Sequence, residues 1–120
     1  MNIKDFRIGN YYQYINGKDK NLCTVNFGTY KIINCIPEKK SEFMFPILIT
    51  KEWLLKFGFK QGKRDFEFFL EKHGCNIIMS DIEDQWNFVW ELSFMGKPIH
   101  YVHQLQNLYF SVVGKELETL

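Results

Sequence analysis

The stretch Tyr101–Gly114, YVHQLQNLYFSVVG, decides how the chain is read. Leu105, Leu108, Tyr109 and Val112 recur at helical spacing, and Tyr101 and Val102 carry that apolar face back by a turn. Gly114 stands where a left-handed residue ends a helix. The pattern therefore predicts one amphipathic helix with Tyr101, Leu105, Leu108, Tyr109 and Val112 in the core. The opposite face holds His103, Gln104, Gln106, Asn107, Phe110 and Ser111, without a charge, whereas a solvated helix face is normally laced with Lys and Glu. Two readings fit that depletion: a helix covered on both sides, or a binding face on which His103, Gln106, Asn107 and Phe110 meet a partner or line a polar pocket.

Working backward, Trp86, Phe88, Trp90 and Leu92 alternate with Asn87, Val89, Glu91 and Ser93, the period-two pattern of a strand with three large side chains on its core face. Met95-Gly96-Lys97-Pro98 reads as the turn into the helix, and Ser80–Gln85 (SDIEDQ) as an acidic loop. Cys75–Met79 is a short apolar strand, and Phe66, Phe68 and Leu70 alternate with acidic residues in another. Thr50 offers an N-cap hydroxyl, and Trp53, Leu54 and Phe57 form a short stripe closed by Gly58, so a helix of about two turns is expected there. Phe59–Arg64 reads as a basic turn. Phe43–Ile49, broken by Pro46, is an edge strand or extended connector.

Near the start, Tyr11–Ile15 is followed by Asn16-Gly17, the pairing favoured in a type I′ hairpin turn. Strands over Leu22–Phe27 and Thr29–Ile36 follow, then a polar loop, Pro37–Ser41. The expected fold is α+β: an antiparallel, strand-rich N-terminal half that could close as a small SH3-like barrel, a short central helix, an antiparallel meander, and a C-terminal helix packed on the sheet. With 120 residues, 46% hydrophobic and without a linker, the chain reads as one domain spanning 1–120. No apolar run approaches the eighteen or so residues of a membrane span, and the first ten residues lack a signal-peptide core. Cys23, Cys35 and Cys75 form no CxxC pair and read as reduced, buried thiols. These features together predict a cytoplasmic protein.

Charge is divided along the chain. Residues 1–64 carry twelve Lys/Arg and five Asp/Glu; residues 65–120 carry three and nine. Either the halves complement each other in the fold or they face different partners. Lys51, Lys56, Lys60, Lys63 and Arg64 concentrate five positive charges beside Trp53, Phe57 and Phe59. Cations interleaved with aromatics suit single-stranded nucleic acid, where charges meet phosphates and rings stack bases. A solvated face over buried aromatics is the plainer reading.

Catalytic patterns are scarce. His100 and His103 are three apart but lack the further ligands a zinc site needs, unless the fold brings His73 and Cys75 to them. Cys75 beside His73 has no orienting third group. Asp81, Glu83 and Asp84 do not have EF-hand spacing, and no Walker, GxGxxG or GxSxG motif occurs. The expectation is a non-enzymatic chain with no catalytic residues, metal or cofactor.

DFRIGNYYQYING, PILITKEWLLKFGF and IHYVHQLQNLYFSVVGKEL together cover about 45 of the 120 residues. In that order they resemble small, largely uncharacterised proteins of phages and prophages of Bacteroidales and Flavobacteria. The segments around Pro37–Phe45 and Asp65–Ser93 depart from that likeness. The resemblance implies an accessory protein of a mobile element, made in the bacterial cytoplasm. Its expected role is to bind and inhibit a host defence component, in the manner of an anti-CRISPR protein blocking a nuclease or its guide RNA. The alternatives are a sponge for a signalling nucleotide or a nucleic-acid-binding accessory protein. The expected partner is a host protein or nucleoprotein complex, with RNA contact through residues 51–64 and no membrane. The resemblance carries no site residues.

Overall fold

The computed structural model describes residues 6–16, 19–26, 28, 30, 44–72, 75–82, 85–90 and 93–119. The fold is α+β; the elements described in full are a three-stranded and a five-stranded antiparallel sheet and two helices. The chain is organised in two compact units, Met1–Ile47 with Tyr101–His103, and Leu48–His100 with Gln104–Leu120.

In the first unit, β1 (Tyr11–Asn16) lies between β2 (Asp19–Thr24) and β3 (Met44–Phe45). A hairpin is present where it is expected, but the placement of Asn16 in its turn is corrected: Asn16 is the last paired residue of β1, opposite Asp19. β3 is the short edge strand foreseen before Pro46. Before β1, Asn10 donates its backbone N–H to the Arg7 carbonyl at 3.0 Å, and Gly9 takes φ 96°, as the third position of a type II turn requires. The buried Asn10 side chain closes that turn by accepting from the Arg7 N–H at 2.6 Å. Phe6, Tyr12, Val25 and Met44 form the core beside it. Of the strand expected over Thr29–Ile36, only Tyr30 is described. It is helical, and its N–H donates to the Asn26 carbonyl, four residues back. The barrel reading turns on residues 27, 29 and 31–43, and the polar loop 37–41 also lies there, outside the described residues.

The second unit begins with α1 (Lys51–Phe57), bounded by the residues named from sequence. Thr50 is extended, and its Oγ1 accepts from the Trp53 N–H at 3.3 Å. At the other end Gly58 takes φ 100°; the Phe59 N–H reaches the Leu54 carbonyl and the Gly58 N–H that of Leu55, a Schellman ending. Leu54 and Phe59, the pair that ending brings together, are both buried.

A five-stranded antiparallel sheet follows in sequence order: β4 (Lys60–Gln61), β5 (Glu67–Lys72), β6 (Cys75–Ile82), β7 (Gln85–Trp90) and β8 (Ser93–Ile99). Phe68 opposes Met79, Leu70 opposes Ile77, and Met79 opposes Phe88. All five side chains are buried, and each contributes about 1.5–3 kcal/mol. The strand expected over Phe66–Glu71 is present; the one expected over Trp86–Ser93 ends at Trp90, because Ser93 opens β8 and pairs back with Trp90, and Leu92 lies outside the described residues. Three further details differ. SDI of the expected acidic loop is the end of β6, and Ser80 is buried, because pairing with β5 and β7 continues through it. Met95–Pro98 is strand, not turn: β8 is an edge, where a proline leaves no partner waiting for its missing N–H. Phe66 precedes β5 and is exposed, not core. Trp86 is half-buried against Phe68, their ring centroids 5.7 Å apart, and the Trp90 side chain lies outside the described residues.

The C-terminal helix α2 (Val102–Val113) packs on the sheet. Gln104 accepts the His100 N–H at its start, and Gly114, at φ 81°, ends it as expected. Its buried side chains are Val102, His103, Leu105, Gln106 and Tyr109, while Tyr101, Leu108 and Val112 are half-buried. At roughly 100° per residue, that arc is rotated about a quarter turn from the apolar stripe of the sequence. Among the described residues, no helix is long and apolar enough to cross a membrane.

Candidate functional site

The rotation of α2 redistributes the four residues expected on its outer face. His103 and Gln106 are fully buried, Asn107 is half-buried and Phe110 is exposed. The His103 ring lies 4.4 Å from that of Phe6 and 5.8 Å from that of Tyr101, nearly parallel to the latter. Gln106 donates through Nε2 to the Leu117 carbonyl at 3.2 Å, holding the tail after the helix. The outer-face reading is therefore corrected for two of the four. The Gln106 amide is buried with a carbonyl partner and the His103 imidazole is buried in ring contacts with Phe6 and Tyr101, so packing outweighed their polarity here. Phe110 keeps the place expected of it.

The basic segment is laid out differently. Lys51, Lys56, Lys60, Lys63 and Arg64 are all exposed, whereas Phe57 and Phe59 are core and Trp53 is half-buried. The plainer reading thus holds for two of the three aromatics. Yet the cations sit on rings: Lys56 Nζ is 4.6 Å from the Trp53 centroid, Lys51 Nζ is 5.8 Å from that of Phe68, and the Arg64 guanidinium is 5.8 Å from that of Phe66. Such contacts hold a charge near the surface while leaving it accessible to an anion. Among the described residues, only Arg64 of the five reaches a carboxylate, Glu67 Oε1 at 3.7 Å.

The loop carrying Lys63 and Arg64 is preformed by Gln61, whose Nε2 lies within hydrogen-bond distance of the carbonyls of Arg64, Asp65 and Glu67, at 2.9, 3.0 and 3.1 Å. The Gly62 N–H also donates to Glu67, at 2.8 Å. A Cβ on Gly62 would stand 3.1 Å from that of Glu67, so the backbone approaches where a side chain crowds. Sequence reading assigned the loop to charge and a glycine bend but missed Gln61. A glutamine before a glycine carries no recognised turn signature.

Beside this loop a groove of about 460 Å³ is walled by Lys63, Glu67, Phe69, Glu71 and Ile78. Phe69 was also missed, although it is legible afterwards as the aromatic that breaks the alternation of Phe66, Phe68 and Leu70. A smaller cavity of about 260 Å³ includes Thr50, Asp81, Trp86 and His100. Among the described residues, no three His, Cys, Asp or Glu side chains gather as a metal site. His73 and the Cys75 side chain lie outside them, as do Glu83 and Asp84. Cys23 is a free, half-buried thiol. Comparison with protein-family models, curated proteins and solved structures finds no match to the chain.

Proposed function

We propose that the chain is a non-enzymatic phage or prophage accessory protein that inhibits a host defence nucleoprotein by occupying its RNA-bearing surface in the bacterial cytoplasm. The observation that carries this reading is the loop clamped by Gln61, which presents the exposed Lys63 and Arg64; the ring-backed Lys51 and Lys56 add exposed cations on α1. Preformed cations bind a phosphate backbone with less entropy lost than free side chains would pay. The phage context comes from the sequence resemblance and supplies the setting, not the chemistry. The nucleotide-sponge alternative is weakened by the interior position of His103 and Gln106.

The test is an interference assay in cells carrying a CRISPR nuclease complex, comparing the wild-type chain with a variant in which all five cations are Gln. Restored phage plaquing with the wild type and none with the variant is expected. No effect of either, in every defence system tried, would remove the inhibitory role.

A further inference from the structure

The groove beside the Gln61 loop has a composition that phosphate binding alone does not explain. Phe69 pairs with Ile78, and Ile78 with Val89, so the three form one row across the sheet face opposite the Phe68, Met79 and Phe88 row. All three are half-buried. Lys60 opposes Phe69 and extends the row to the edge. The apolar floor thus has Lys60 and Lys63 on one side, and Glu67 and Glu71 stand on β5 along the same face. Glu67 is drawn to Arg64, whereas Glu71 is exposed and has no ion pair among the described residues.

We infer that this groove takes one nucleobase of a single-stranded nucleic acid, stacked on Phe69 and read by Glu71, with flanking phosphates on Lys60 and Lys63. The inference rests on the nucleic-acid contact proposed above. The volume is in the range of sites for nucleotide-sized ligands. A half-buried aromatic ring gives a base its stacking face, and duplexed bases cannot reach it. An ionised carboxylate has acceptors only. Guanine presents two adjacent donors, N1–H and the N2 amine, to such a group; adenine and cytosine present one amine on that edge, and uracil and thymine one ring N–H. The groove therefore prefers guanine, a selectivity that cations alone cannot give.

The test is fluorescence anisotropy with the full chain and labelled oligouridylate, with and without a single central guanosine, alongside the deoxy and duplex counterparts. The expected results are tighter binding of the guanosine oligomer by roughly tenfold and little binding of the duplex. Comparison of the ribo and deoxy strands shows which sugar is accepted. Glu71→Gln should reduce the guanine preference to near unity. Phe69→Leu, which keeps an apolar floor, should weaken both single strands roughly tenfold with Tm little changed. Equal guanine preference in the wild type and Glu71→Gln, or full affinity in a folded Phe69→Leu, overturns the groove assignment even where the five-cation variant has lost binding. If the wild-type chain binds no strand, the nucleic-acid reading falls with it.

Discussion

The Gln61 side-chain amide donates to the Glu67 backbone carbonyl at 3.1 Å, and through the same nitrogen it reaches the carbonyls of Arg64 and Asp65. One exposed glutamine thus shapes the loop that carries Lys63 and Arg64. Gln61→Ala is expected to lower stability by about 1 kcal/mol, since the freed carbonyls can turn to water. Gln61→Glu should cost more, because a carboxylate has no N–H to offer and faces three acceptors. Urea denaturation measures both, and equal midpoints for wild type and Gln61→Glu would show that the clamp contributes nothing.

The glycine next to it is constrained by contact rather than by a positive φ. Gly62→Ala forces a Cβ against Glu67 and is expected to cost about 1 kcal/mol or more. Gly28→Ala, where the nearest atom is Asn26 Oδ1 at 3.4 Å, serves as the comparison and should be milder. Thermal melts of the two variants provide the measurement.

At Gly58 the conformation itself is the constraint. Its φ of 100° favours glycine, so Gly58→Ala should lose about 1 kcal/mol and loosen the end of α1. Hydrogen exchange at the Phe59 amide, which donates to Leu54, should accelerate with it.

Helix α2 separates stability from function. Gln106→Ala removes a buried amide and leaves the Leu117 carbonyl without that donor, for a loss of about 2–4 kcal/mol. Phe110→Ala with Asn107→Ala should change stability by less than about 1 kcal/mol, because Phe110 is exposed and Asn107 is only half-buried. Differential scanning calorimetry distinguishes the pairs, and similar losses for both would place the whole face inside.

Local punctuation carried most of what was legible in the sequence. Thr50 and Gly58 bound α1 and Gly114 ends α2, all for reasons contained within a few residues, whereas Asn16 marks the first hairpin but stands in the strand rather than in the turn. What escaped depends on distant partners. Pro98 sits in a strand because β8 is an edge, and His103 and Gln106 are buried because the packing of α2 follows its neighbours rather than its own stripe. The five cations were legible as a cluster. Their ring supports were only partly so: Trp53 lies three residues from Lys56 on the same helix, but Phe68 reaches Lys51 from a different element.

The most direct test of the central claim is the salt dependence of binding of the full chain to a labelled single-stranded oligonucleotide. If Lys51, Lys56, Lys60, Lys63 and Arg64 meet phosphates, log K should fall with log salt with a slope near −3.5, about −0.7 per contact, and replacing all five by Gln should bring that slope close to zero. A wild-type slope near zero, or an unchanged slope in the five-cation variant, would contradict the account.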